Sequence, residues 1–560
     1  MGKKILVIGG VALGPKAAAR ARRRDPEAEI TIIDTGDVFS YAGCGMPFYI
    51  EGQITDIDEL LCTNQGVRRD EDYFKSVKDI KLLGRTEALK INRLEKTVTA
   101  LDIRTGRFQD IPYDKLVLGV GASPVVPPIE GISLEGVFRL YSPGDAVTIR
   151  AKIDEGAKRV VIVGGGLIGM EVCGSFASRG CAVTVLEMMD RLIPALLDPD
   201  MSLLLEKYLR ESGITLGLGC RASRIIDDGS GRASVVETAN GDRFDADMVV
   251  VAIGVRPNVR LAKEAGLKIG VTGAIAVDEY LRTSDPDIYA GGDCVENIDL
   301  VTGRKVYLPL GSTANKHGRV IGDNVTGGET RFPGVTLTAV FKVLDFNVGK
   351  TGLSEREARE LGFVAVTATA PRTDCSDYYP KNKPFIVKLI ADRRSQKLLG
   401  CQALGTGEVV KRIDVVSTCL RFGAAINDLA DLDLGYAPPY STAIDAVAHA
   451  ANVLRNKIQG LAHGISATEL KGKMAGDDDF VLLDVRSRQE VEVRPFNDRR
   501  VVNIPIEELR SRLNELPRKE VVIFCKTSVR AYDAERILRG VGFNDVKFLD
   551  GSLTAWPYTY

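Results

Sequence analysis

Ten cysteines are spread over 560 residues and no two lie closer than eight positions apart, so neither a zinc pair spaced C-x-x-C nor a dense disulfide framework is present. Each sulfur has to be judged alone, and two stand where a thiolate can react. Cys525 closes the apolar run VVIF and opens a loop that leads into the helical VRAYDAERIL. At such a junction backbone N–H groups and a helix N-terminus stabilise a thiolate or a persulfide. Cys44 lies in Gly-Cys-Gly-Met-Pro, an N-cap-like turn, where a helix N-terminus again favours the anion over the thiol. Histidine chemistry has few candidates, since the chain holds only His317, His449 and His463.

Glycines supply a second kind of chemistry. Residues Lys4 to Gly14, KILVIGGVALG, form a buried-type strand that runs into glycines and then into the helical AAARARRR, the strand, turn, helix order of a dinucleotide cradle. Gly9 and Gly14 fit the first and third glycines of G-x-G-x-x-G, while Val11 occupies the second position, where the backbone would approach a pyrophosphate. Beyond Gly14 the strand EITIID ends in Asp34, placed to accept hydrogen bonds from a ribose hydroxyl. A second and cleaner run, RVVIVGGGLIGMEV, supplies Gly164, Gly166 and Gly169, and the following strand VTVLE ends in Glu187. A carboxylate there bonds the 2′-hydroxyl of NAD and repels the 2′-phosphate of NADP, which favours NADH, with the cation of Arg191 nearby pulling the other way. Two dinucleotide folds in one chain point to one nucleotide passing electrons to the other.

Three further segments identify the first nucleotide. YDKLVLGVGASP (Tyr113 to Pro124) and ADMVVVAIGVRPN (Ala246 to Asn258) read as apolar strands closing in Gly and Pro, and DIYAGGDC places Asp293 after a strand and a Gly pair. Together these segments resemble the FAD- and pyridine-nucleotide-dependent disulfide reductases over about residues 1 to 455. The resemblance implies FAD held by Gly9, Val11, Gly14, Asp34, Ser40, Gly121 and Asp293, and NADH or NADPH held by Gly164, Gly166, Gly169, Glu187 and Gly254.

Glutathione-reductase-like members of that family carry a redox pair spaced C-x-x-x-x-C. Cys44 is in the corresponding place, but Tyr49 stands where the second sulfur would be, so the resemblance implies a single working cysteine. The run SYAGCGMP (Ser40 to Pro47) resembles the S-F-x-x-C motif of coenzyme A disulfide reductases and their persulfide-reducing relatives, with Tyr41 in place of Phe and Gly43 where an Asn is often found. A thiolate at Cys44 attacks an external disulfide or persulfide and becomes the mixed disulfide itself. Single-cysteine NADH oxidases and peroxidases instead cycle a sulfenic acid. The peroxidases usually carry a histidine in the first glycine loop, which here reads GGVALG; His317, in ANKHGR, is read as a solvated helix residue.

In the coenzyme A branch, phenol hydroxyls from the second subunit of a homodimer assist the cysteine. The runs DCSDYYPKN and LGYAPPYSTAID match, which carries that role to Tyr378 and Tyr436, with Tyr379 and Tyr440 as register alternatives. Cys375 lies where relatives are expected to have a histidine, either as a second sulfur near the site or without a role. Arg20, Arg23 and Arg24 fall at i, i+3 and i+4 on the first helix, with Arg22 beside them, a basic face suited to the phosphates of coenzyme A; Lys75, in DEDYFKS, is a second phosphate candidate.

The last hundred residues change pattern. ISATELKGKM reads as a short helix, FVLLDVRS as a strand ending in Asp484 and Arg486, and VVIFCKTSVRAYDAERIL as strand, loop and helix, an alternation that argues a small parallel α/β domain. The loop from Cys525 to Arg530, CKTSVR, resembles the six-residue active loop of rhodaneses, supported by LDVR and DGSLTAW; Ser528 replaces a common loop glycine. The resemblance implies Cys525 and Arg530 as sulfur-transfer residues, with an inactive interaction module as the alternative.

The elements needed to position these residues define an α/β chain: two Rossmann-like dinucleotide-binding domains for FAD and NAD, an α+β dimerisation domain and a rhodanese-like α/β domain. The expected boundaries are 1–150 and 276–328 for the two parts of the FAD-binding domain, 151–275 for the NAD(P)H-binding domain, 329–456 for dimerisation, 457–464 for a linker and 465–560 for the rhodanese. Composition agrees with an ordinary soluble protein, 45% apolar and 27% charged, and a net charge of −1 gives no global case for nucleic-acid binding. The longest uncharged run, Leu116 to Ile129, is shorter than the roughly 18 residues of a membrane span. MGKKILVIGG leads straight into a strand, so the expected location is the cytoplasm. The expected activity is NADH-dependent reduction of coenzyme A persulfide, polysulfide or coenzyme A disulfide at Cys44, with sulfane sulfur handled at Cys525; an NADH oxidase or peroxidase and a flavin-based redox sensor are the alternatives.

Overall fold

The computed structural model describes residues 2–476 and 478–558. The chain forms two compact units, Met1–Leu186 with Arg221–Val335, and Glu187–Cys220 with Thr336–Tyr560.

In the first unit a parallel sheet of five strands runs in the order Ile288–Ala290, Lys115–Leu118, Lys4–Ile8, Glu29–Ile33, Lys81–Leu83. The strand Lys4–Ile8 is its centre, paired on one side through Ile8 with Ile33 and on the other through Ile8 with Leu118. Parallel strands covered on both faces require continuous apolar runs, and KILVI, KLVL and IYA are such runs. The helix Leu13–Arg24 follows the first strand and packs against the helix Gly311–Asn324. Glycines let the two helices approach: a Cβ at Gly318 would lie 2.8 Å from the Cβ of Lys16, and one at Gly322 would lie 2.6 Å from that of Arg20. A second set of parallel strands, Ala182–Glu187, Arg159–Val163, Met248–Val251 and Val137–Phe138, repeats the arrangement around the helix Leu167–Ser178.

The second unit holds a five-stranded antiparallel sheet, Ala339–Val343, Phe346–Gly352, Leu398–Gly405, Pro384–Asp392, Ala365–Thr373, with the helices Val410–Arg421 and Ala446–Ile458. Strand Pro384–Asp392 carries Lys388, 3% exposed, whose ammonium meets Asp198 at 3.3 Å, Asp200 at 2.8 Å and Glu355 at 2.9 Å. A cation so deeply buried persists only with such compensation. The same unit contains a parallel sheet in the order Gly464–Ile465, Val546–Leu549, Val521–Phe524, Val481–Asp484, Val501–Asn503. Its core includes Phe480, Phe524 and Trp556. Lys457 joins this sheet's loop to the antiparallel one, bonding Asp550 at 2.5 Å and the carbonyl of Thr367 at 2.8 Å. Among the described residues no helix is long and apolar enough to cross a membrane.

Candidate functional site

The first glycine turn is built by close approach. Gly9 has φ +112° and a Cβ there would lie 2.2 Å from the carbonyl oxygen of Gly119; one at Gly14 would lie 1.8 Å from that of Gly9. Only glycine fits either position, as the spacing predicts. Val11 is tolerated at the second position, half-buried at the mouth of the turn. Asp34 accepts hydrogen bonds from the backbone N–H of Gly10 at 2.6 Å and of Gly36 at 2.7 Å, so its carboxylate already braces the turn, and each oxygen keeps a lone pair for a ribose hydroxyl. Ser40, at φ +50°, donates its N–H to the carbonyl of Gly10. Gly121 has φ +63° with open space around its missing Cβ. Asp293 is half-buried with its Oδ1 buried and without a hydrogen-bond partner in the described protein, and burial raises its carboxyl. An orphaned buried acceptor beside a glycine cradle fits a donating hydroxyl of FAD.

His317 corrects the sequence reading. It is fully buried, not solvated, because the face of helix Gly311–Asn324 that carries it turns toward Gly291, whose missing Cβ would lie 3.0 Å from the Cβ of His317. Its Nδ1 accepts the N–H of Gly292 at 3.1 Å, the ring stands edge-on to Phe332, and burial pushes it down to about 3. It is a neutral brace for the Gly292–Asp293 turn.

Cys44 sits in a single helical turn, Gly43–Gly45, that leads into the short helix Met46–Glu51. A Cβ at Gly45 would lie 2.3 Å from Leu60 Cδ2, so a larger residue there would have to displace the Leu60 side chain. The helix is held from behind: Ser175 donates to the carbonyl of Pro47 at 2.8 Å, and Arg150 donates to those of Tyr49, Ile54 and Thr55, each at 3.2 Å. The expected lowering of the thiol by the helix N-terminus is outweighed. Desolvation, then the carboxylates of Glu171 and Asp293, push the Cys44 thiol up, although its residue surface is exposed. Glu171, in the helix Leu167–Ser178, is itself raised by burial to about 7. Sequence reasoning passed over Glu171, whose only signal was its place just after the second glycine run.

The second cradle repeats the first. Gly164 has φ +112° with a virtual Cβ 2.5 Å from the carbonyl oxygen of Ala252, and at Gly169 one would lie 2.1 Å from that of Gly164. Gly166 precedes the helix as its N-cap, and Gly254, at φ +100°, is exposed. Glu187 ends its strand and accepts the N–H of Met189 at 2.8 Å. Arg191, the cation that would favour a 2′-phosphate, is paired with Asp190 at 2.8 Å.

The basic helix face is less open than its spacing implied. Arg20 lies 2.6 Å from the buried Asp323, with Arg24 at 3.7 Å from the same carboxylate. Arg22 donates to the carbonyls of Pro26 and Asp79, and Arg23 and Lys75 are exposed. Arg20 and Arg24 therefore serve packing against helix Gly311–Asn324 as well as surface charge, whereas Arg23 is left on the surface.

In the second unit the two tyrosine loops are joined: the N–H of Ser376 donates to the carbonyl of Pro438 at 3.2 Å, and Lys411 donates to that of Tyr440 at 3.3 Å. Tyr378 is 75% exposed, Tyr440 71% and Tyr436 50%, whereas Tyr379 is half-buried, so three phenols are free to meet another surface. Cys375 is buried, and burial and Asp374 push its thiol up.

Cys525 ends the strand Val521–Phe524 as expected but is only 1% exposed. The Arg530 guanidinium pairs with Glu490 through two bonds of 2.6 and 2.8 Å, and this holds the Glu490 carboxyl down at about 2. Arg486 likewise bonds the buried Asp484. Beside the sulfur lies Ser552, which the sequence did not single out; its hydroxyl accepts the N–H of Cys525 at 3.1 Å and lies 3.8 Å from its Sγ.

Residues 3–317 match the family model of pyridine nucleotide-disulphide oxidoreductases, 338–448 that family's dimerisation domain, and 466–558 the rhodanese-like domain. A solved NAD-dependent persulfide reductase from A. fulgidus is 47% identical, covering 99% of this chain and all of its own, with a TM-score of 0.94. The reduced CoADR-RHD of Bacillus anthracis is 34% identical over 99% of this chain and 98% of its own, with a TM-score of 0.92. A protein of Methanocaldococcus jannaschii named NADH oxidase is 36% identical over 456 residues, 81% of this chain and 99% of its own. The chain belongs to the pyridine nucleotide-disulphide oxidoreductase family and carries a rhodanese-like domain behind its dimerisation domain.

Proposed function

We propose that the protein uses NADH to reduce coenzyme A persulfide, polysulfide or coenzyme A disulfide through Cys44, and that Cys525 delivers sulfane sulfur. The observation that carries this reading is the pairing of two differently placed sulfurs. Cys44 is the exposed cysteine among the described residues, on a braced turn, and Cys525 lies at the root of a rhodanese-type loop. The whole-chain likeness to a persulfide reductase supports it.

Bound FAD supplies the electron pair drawn from NADH. The Cys44 thiolate attacks the inner or outer sulfur of the substrate, an S–S bond forms at Cys44 as the substrate's S–S bond breaks, and the displaced thiolate or sulfide takes a proton. The overall balance for coenzyme A persulfide is NADH, one proton and the persulfide giving NAD, coenzyme A and hydrogen sulfide. Tyr378 and Tyr436, with Tyr440 as a third exposed phenol, act from the second subunit of a homodimer as proton donors to the leaving sulfur. Coenzyme A phosphates meet Arg23, Lys75 and the outer edge of Arg20, Arg22 and Arg24. Glu187 selects NADH.

An oxidase cycling a sulfenic acid at Cys44 is the second reading, favoured by the name of the M. jannaschii relative. Against it stands His317, a neutral buried brace that offers no acid for O–O cleavage. Replacing Cys525 with Ser separates the roles of the two sulfurs. Reduction of coenzyme A disulfide is expected to persist, while NADH oxidation driven by thiosulfate with coenzyme A falls at least tenfold; equal turnover by the variant would remove Cys525 from the sulfur path.

A further inference from the structure

The two tyrosine loops of the second unit share an anchor. Arg412, in the first turn of the helix Val410–Arg421, is 1% exposed, and its guanidinium lies 5.1 Å from the ring centroid of Phe385. Its Nη2 donates at 3.1 Å to the carbonyl of Asp374, four residues before Tyr378. Nη2 and Nε donate to Asp445 Oδ2 at 2.9 and 3.2 Å, and Nη1 donates to the carbonyl of Glu408 at 3.0 Å. The same Oδ2 accepts at 2.8 Å the hydroxyl of Ser441, the residue after Tyr440. Asp445 Oδ1 accepts the N–H of Val447 at 3.1 Å and so caps the helix Ala446–Ile458. One planar cation thus bonds the root of each loop, a task that the fork of arginine performs and the point charge of a lysine does not.

Asp374 also closes the first loop, because its carboxylate accepts the N–H of Lys383 at 2.8 Å and that of Glu408 at 3.2 Å. Beyond these roots Tyr378, Tyr436 and Tyr440 are exposed. An exposed side chain takes its aim from the backbone that carries it, so the roots decide where the hydroxyls stand.

We propose that Arg412 is a positioning residue for proton delivery to the leaving sulfur, acting through the loops that carry Tyr378, Tyr436 and Tyr440. The proposal rests on the proton-donor reading of these tyrosines. A buried ion pair adds little net stability over packed apolar side chains, and the use of Arg412 with Asp445 is to fix one arrangement of the two loops. In the step it serves, the Cys44 thiolate attacks one sulfur of coenzyme A disulfide, a Cys44 Sγ–S bond forms and the substrate's S–S bond breaks. Coenzyme A thiolate leaves with the electron pair and takes a proton from a phenol, which solvent then reprotonates. A weakly basic leaving thiolate needs no such proton, so the loop roots matter for one kind of leaving group and not for the other.

The test is Arg412→Lys in the full-length FAD-loaded protein, with Cys525→Ser as background and Cys44 as the free thiol. Formation of the coenzyme A adduct on Cys44 is timed by peptide mass, without NADH, for coenzyme A disulfide and for the mixed disulfide of coenzyme A with thionitrobenzoate, whose thiolate leaves unprotonated. Arg412→Lys is expected to slow the first reaction about tenfold and to change the second by less than about twofold. Ser441→Ala, which removes one bond from the same carboxylate, is expected to show a smaller loss with the same selectivity, and stands in if Arg412→Lys fails to fold or to hold FAD. Equal losses on both substrates, or none on either, overturn the proposal, since a merely structural defect does not distinguish leaving groups. Tyr378→Phe, Tyr436→Phe and Tyr440→Phe, run alongside, test the underlying reading. Native rates in all three remove the phenols as donors, while the two-substrate comparison still decides the role of Arg412.

Discussion

Cys44 stands beside two carboxylates and the start of a six-residue helix. Desolvation and two carboxylates raise its thiol, and the six-residue helix behind it does not offset them. Glu171 is the adjustable part, because its own carboxyl titrates near 7. Below that pH it becomes neutral and its push on Cys44 relaxes; above it the push is full. Glu171→Gln is therefore expected to speed alkylation of Cys44 a few-fold at pH 8, measured in a Cys525→Ser background, with a smaller effect at pH 6. A variant-to-native rate ratio of one at both pH values would show that Glu171 does not act on the thiol. Cys44 itself was legible because its neighbours, Gly43, Gly45 and Pro47, encode a local turn. Glu171 was not, because its importance arises from packing between segments more than a hundred residues apart.

At the scale of elements, the glycine cradles were readable for a related reason: Gly9, Gly14, Gly164 and Gly169 answer to contacts within one strand, turn and helix. The pairing of Arg20 with Asp323 was not legible, because that partner lies 303 residues away and no local pattern announces it. His317 was misread likewise. Its burial makes acid stability a property of the helix that carries it. The unfolded chain takes up a proton below the ordinary value of 6.5, which the folded chain refuses until about pH 3. Its contribution is thus complete above 6.5 and lost as pH falls through that window, by up to about 1.4 kcal/mol per pH unit. The melting temperature is expected to drop between pH 6.5 and 4, less steeply in His317→Asn, which keeps an acceptor for Gly292; parallel slopes would contradict the neutral-brace role. His449, held down to about 4 by burial and by Arg372, adds to the same acid sensitivity.

At the scale of the whole molecule, one chain joins a flavin-dependent electron path to a sulfur-transfer loop. The second sheet of the second unit is fastened to the first through Lys457 and Asp550, a buried pair, and a Cβ at Gly551 would lie 2.3 Å from that of Ala555 and 3.1 Å from Thr369. The rhodanese-like domain was legible from alternating strand and helix patterns, while its seating depends on contacts between distant segments, among them Lys457 with Asp550 and Lys207 with the carbonyl of Trp556. Persulfide reduction is the reaction that gives both sulfurs a part. Its most direct test is anaerobic NADH consumption with sulfide release on coenzyme A persulfide, comparing the native protein with Cys44→Ser. Fast sulfide production that disappears in the variant is the predicted result; NADH loss that requires air and releases no sulfide would contradict it.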